Sequence, residues 1–63
     1  MRHYWKFTFY LNDKQKIRYF YGTESTAERR ASRTTGEKKN LVKLSKSHVS
    51  YLKTEKNVRF IDL

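Results

Sequence analysis

Between Glu28 and Lys46 this chain carries Arg29, Arg30, Arg33, Lys38, Lys39, Lys43 and Lys46 against only two carboxylates, Glu28 and Glu37, a local excess of five positive charges. The chemistry open to such a run is the neutralisation of phosphates, for which arginine offers a flat, two-pronged donor and lysine a mobile point charge. A solvated helix face followed by a charged loop has the same composition, and that plainer reading stands beside the first. A second set is Tyr4, Lys6, Tyr10, Arg18 and Phe20, which the alternation of the N-terminal third predicts to be exposed together. Rings interleaved with cations on a sheet suit single-stranded nucleic acid, with bases stacked on the rings and phosphates held by the cations. The same set suits a dimer interface, or cover by the C-terminal strands or the closing Phe60-Ile61-Asp62-Leu63.

Acid–base and nucleophilic chemistry finds little to work with. A nucleophile needs a base and an orienting group in a concave site, whereas His3 and His48 fall in or beside expected strands and outside any Gly-x-Ser-x-Gly context. The six carboxylates are spread along the chain, mostly beside basic residues. Gly22 and Gly36 stand alone, so neither belongs to a phosphate-binding loop. With no cysteine and two scattered histidines, neither a disulfide framework nor a zinc site is expected. The chain reads as a non-enzyme without metal or cofactor.

The elements that must position these residues have to come from one domain spanning residues 1–63. A domain of this size buries only about 60 % of its unfolded surface. Ten aromatic residues offset the scarcity of long aliphatics, since each ring can bury about 150–250 Å². Fifteen Lys and Arg against six Asp and Glu leave a net charge of +9, which attracts polyanions. No uncharged run exceeds six residues, far short of the roughly 18 needed for a membrane span. A cytoplasmic location is expected, and no membrane partner.

Trp5, Phe7, Phe9 and Leu11 alternate with Tyr4, Lys6, Thr8 and Tyr10, and Ile17, Tyr19 and Tyr21 alternate with Lys16, Arg18 and Phe20. This period of two predicts a β-hairpin. An odd loop, either Asp13-Lys14-Gln15 or Asn12 to Lys16, pairs Leu11 with Ile17, Phe9 with Tyr19 and Phe7 with Tyr21, which gathers all seven large side chains on one face. After Gly22-Thr23, the segment Ser25-Thr26-Ala27-Glu28 fits a capping box and predicts a helix start near Ser25 and an end near Gly36. Its alanine stripe, Ala27 and Ala31, would lie against the aromatic hairpin face while Arg29 and Arg33 point outward. Leu41–Leu44, Ser45–Lys53 and Val58–Leu63 are expected as strands, with a turn at Thr54–Asn57. Val49 and Leu52 also stand at helical spacing, and Ser45 or Ser47 would suit a cap.

The expected fold is therefore α+β: an N-terminal antiparallel hairpin, one short helix, then two to three C-terminal strands, a ββαββ-like order. The expected function is binding of DNA or RNA through Arg29, Arg30, Arg33, Lys38, Lys39, Lys43 and Lys46, with Tyr4, Lys6, Tyr10, Arg18 and Phe20 as stacking or interface residues. The alternative is a small protein–protein interaction module or inhibitor that binds an acidic surface of a larger nucleic-acid-processing machine. Exposed strand edges and a small core also predict a homodimer.

Overall fold

The structure, a computed structural model, describes residues 1–63. Its order is β1 (His3–Leu11), β2 (Lys14–Gly22), α1 (Glu24–Arg33), β3 (Glu37–Lys43), α2 (Lys46–Thr54) and β4 (Ile61–Asp62). The α+β class and the opening sequence of hairpin, helix and strand are as expected. Four strands form one sheet in the order β3-β1-β2-β4, with β1 antiparallel to both β2 and β3, and β4 parallel to β2.

The hairpin turns through two residues, Asn12 and Asp13, both left-handed at φ 53° and 64°. Asn and Asp tolerate that region better than other non-glycine residues, and a pair of positive φ values matches the twist of the flanking strands. This turn overturns the odd-loop register. Trp5 faces Phe20, Phe7 faces Arg18, Phe9 faces Lys16 and Leu11 faces Lys14. Phe20 therefore joins Trp5, Phe7 and Phe9, while Ile17, Tyr19 and Tyr21 turn to the opposite side with Tyr4, Lys6 and Thr8. Leu11 and Ile17 are exposed.

α1 closes the first face. Ala27 and Ala31 are buried against Trp5, Phe7, Phe9 and Phe20, with Leu41 and Leu63 packed at the margin. Alanines let the helix approach while the rings fill the volume: Phe7 and Phe20 are 0 % and 1 % exposed, and Phe7 stacks on Phe9 at 5.1 Å and on Phe20 at 5.9 Å. Trp5 Nε1 donates to the carbonyl of Gly22 at 3.0 Å, so the one indole in the core leaves no donor unpaired. The helix begins earlier than expected. Thr23 is the cap, its hydroxyl accepting from the Thr26 amide at 3.3 Å, and Thr26 Oγ1 donates back to the Thr23 carbonyl at 2.9 Å. Gly36 follows the helix because a side chain there would collide with the core: an added Cβ would stand 2.6 Å from Phe9 Cδ2.

The segment expected as a strand at Ser45–Lys53 is instead the cap and body of α2. Ser45 accepts from the His48 amide at 3.3 Å, and Val49 and Leu52, three apart, are both buried. The cap and the helical spacing outweigh the weak β preference of Val49 and Tyr51. At the far end Asn57 is left-handed at φ 54°, and the Val58 amide donates to the Leu52 carbonyl at 3.1 Å.

α2 stands beside the second face at one end only. There Tyr4 packs on Tyr21 at 4.5 Å and on Phe60 at 4.8 Å, and Phe60 also meets Tyr19 at 5.5 Å. Lys53 Nζ lies 4.6 Å over the Tyr4 ring centre. No helix is long and apolar enough to cross a membrane.

Candidate nucleic-acid interface

No polar or charged side chain is buried, and no three His, Cys, Asp or Glu side chains converge. Whatever this protein recognises, it meets at the surface. The electrostatics there are one-sided. Among the fifteen Lys and Arg residues, Arg2 alone forms an ion pair, with Asp62 at 3.4 Å. It also donates to the Leu63 carbonyl at 3.1 Å, so its role is to hold the ends of β1 and β4 together.

The basic run divides between the two sides of the sheet. With Ala27 and Ala31 turned inward, Arg29 and Arg33, one turn apart, point away from the sheet, and both are exposed. Arg30 leans to the β2 flank, where its guanidinium lies 5.9 Å from the Phe20 ring centre. Lys39 reaches the other flank, its Nζ 3.4 Å from the Ser32 carbonyl. Lys38 goes elsewhere. The bulge between Thr8 and Tyr10 and its own left-handed backbone, φ 51°, send its ammonium to the Tyr10 ring at 5.5 Å. Lys43, at the sheet edge, borders a groove on each side, and Lys46 lies in the first turn of α2 beside Tyr4 and Lys53. The expectation of one continuous patch from Glu28 to Lys46 thus gives way to an arginine face on α1 bordered by Lys39, with Lys43 at the sheet edge and Lys38 and Lys46 on the other side of the sheet.

The aromatic set is also redistributed. Tyr4, Lys6 and Tyr10 share the face opposite α1, as expected, but Tyr4 is half-buried beneath Phe60 and Lys53. Phe20 is core rather than surface, and Arg18 stands on the α1 side, 5.8 Å from the Phe9 ring. Its stem covers the edge of the core while its charge remains in water, the usual compromise of a long cationic side chain. The two-residue turn also changes which side of the sheet carries these cations. It moves Arg18 and the half-buried Lys16 to the side where Arg29, Arg30 and Arg33 project, enlarging the arginine face from the hairpin. The signal for this in the sequence is Asn12-Asp13 itself, a pair suited to the left-handed positions of a tight hairpin turn.

The open surface of the second face includes residues that the charge pattern does not single out. Ile17 and Val42 are 40 % and 43 % exposed there, beside Tyr10 at 36 %. A groove of about 580 Å³ runs from this surface to the start of α2, passing Lys6, Asn40, Lys43 and His48. Compared with models of protein families, with curated proteins and with solved structures, the chain matches none.

Proposed function

We propose that this protein is a non-enzymatic nucleic-acid-binding domain whose arginine face on α1 engages phosphates. The observation that supports it most directly is the lack of internal counter-charges: fourteen of the fifteen Lys and Arg side chains form no ion pair within the fold. Three of them, Arg29, Arg30 and Arg33, project from a capped helix packed on the core, which keeps their backbone fixed. Arg18 and Lys39 border them. Contacts of this kind fix position and supply affinity without reading bases, so little sequence preference is expected.

The test is a salt titration of binding to generic duplex and single strands. Removing one phosphate-binding side chain should lower the slope of log K against log salt by about 0.9 for duplex and 0.7 for single strands. Arg29→Gln and Arg33→Gln should each do so and leave the melting curve unchanged. If the parent binds no nucleic acid even at about 50 mM salt, where attraction for a +9 chain is strong, the reading fails. The basic face would then belong to an acidic protein surface, to be sought as a stoichiometric partner in nuclease-treated lysate.

The reading includes a cytoplasmic location. A homodimer would form at the sheet edges: the outer edge of β3 is unpaired, and β4 pairs with β2 only at Phe20 and Tyr21. Lys14, Lys16, Lys38, Lys39 and Lys43 lie on these strands and discourage such pairing. Light scattering across micromolar to millimolar concentration decides it.

A further inference from the structure

The face opposite α1 is covered at one end and open at the other. Across the open part the strands place Val42, Lys6 and Tyr19 in one row, Asn40, Thr8 and Ile17 in the next, and Glu37, Tyr10 and Gln15 in the third. The first row borders the Phe60 cluster; the other two have no element over them, and Tyr10, Gln15, Ile17, Asn40 and Val42 are all exposed. This is a flat patch of mixed ring, aliphatic and amide character. It has a cation on its central strand, Lys6, and a second at one corner, Lys38 over the Tyr10 ring at 5.5 Å; Lys43 pairs with Trp5 and so turns to the α1 side.

We infer that this open half-face is a site for single-stranded nucleic acid, with a base stacked on Tyr10 and phosphates held by Lys6 and Lys38. The inference rests on the nucleic-acid-binding function proposed above and adds the strandedness of the ligand and a second surface for it. Charge selects the class of occupant. No carboxylate lies in the first two rows; in the third Glu37 pairs directly with Tyr10 and Asp13 borders it at the turn, so the cationic stretch runs from Lys6 and ends at Lys38. A second copy of the chain laid on this patch by a two-fold axis would bring Lys6 towards its own mate, with no carboxylate in its row or the next to neutralise it. A nucleic acid supplies the missing negative charge.

The apolar component selects the single strand. In a duplex the flat faces of the bases are stacked on each other, and only edges and backbone are presented, so Tyr10, Ile17 and Val42 gain little. A single strand offers a π-face for the ring and apolar surface for the aliphatics. An acidic peptide would satisfy the lysines but brings no comparable flat surface to the ring.

The experiment is fluorescence anisotropy of the full chain with a mixed-sequence single-stranded DNA, the matching RNA, the duplex, and poly-glutamate. The proteins are the parent, Tyr10→Ala, Thr8→Glu and the Arg29→Gln/Arg33→Gln pair. Tyr10→Ala is expected to weaken single-strand binding by about 5- to 150-fold, with the salt slope nearly unchanged and duplex binding within about twofold. Thr8→Glu places a carboxylate between Ile17 and Asn40 and should weaken it further; if that variant does not fold, Tyr10→Ala decides. Unchanged single-strand binding by folded Tyr10→Ala would overturn the site, as would equal losses for duplex and single strand, or poly-glutamate binding as tightly as the single strand and weakened by the same variants. If the site falls while the arginine pair still lowers the salt slope, the function proposed above survives without it. If the parent binds no nucleic acid, both fall.

Discussion

The two faces of the sheet are covered by different means. On the α1 side the cover is dry: Trp5, Phe7, Phe9 and Phe20 pack under Ala27 and Ala31, and Trp5 makes the single polar contact of the core. On the α2 side the cover is made of side chains that are apolar along one part and polar at the tip. Tyr4, Tyr19 and Tyr21 are half-buried with Phe60, and Lys53 both donates to the Tyr4 hydroxyl at 3.0 Å and lies over its ring. The difference shows how so small a chain divides its apolar residues. It commits its rings to one full interface and covers the other face only where Tyr, Phe60 and Lys53 can pack without stranding a polar atom. The remainder of that second face stays open, and the structure holds its exposed ring there next to a cation.

This asymmetry is open to direct attack, first where it is steepest. Phe20→Ala should cost about 3–5 kcal/mol, close to the whole stability of a domain this size, whereas Tyr19→Ala next to it should cost clearly less. Urea melts of the two variants compare the faces at adjacent positions, and equal losses would mean that the second face is as tightly packed as the first. Gly36→Ala is next. Its Cβ would meet the Phe9 ring at 2.6 Å and the Tyr10 carbonyl at 3.0 Å, an overpacking of about 1–3 kcal/mol that thermal denaturation should register.

Ser45→Ala removes the cap of α2 and should cost about 1 kcal/mol. Hydrogen exchange sharpens the result, because α2 has little burial beyond Val49 and Leu52 and its amides should open before those of β1 and α1. Uniform protection across both helices would end the distinction. The smallest effect is expected at Ile17→Ala, within about 0.5 kcal/mol, because the side chain faces solvent on the open patch. A destabilisation several times larger in the same urea series would mean that the patch is covered in solution.

The hairpin, α1 and the inward turn of Phe7, Phe9, Ala27 and Ala31 are legible from spacing and capping residues alone. So is the outward turn of Arg29 and Arg33, since an alanine stripe facing the sheet leaves them only the opposite side of the helix. These are local properties, set by the periods of strand and helix. The strand register was not legible in the same way. β1 and β2 carry rings at both parities, Tyr4 and Trp5 on one strand, Tyr19 and Phe20 on the other, so the count of large side chains on one face does not identify the register unless the opposite face is known to be bare. It is not bare: Phe60 and Lys53, more than thirty residues along the chain from Tyr19, supply the cover that lets Tyr19 and Tyr21 turn away from α1. The fate of Ser45–Lys53 depended on the same distant contacts, because a cap and two buried residues fix a helix only once there is something for them to pack against. The division of the basic run followed in turn, with Lys38 turned by a bulge that exists only where β3 pairs with β1. Local spacing determined which residues form each element. Long-range packing decided which face each one shows, because burial is shared among segments far apart in the chain.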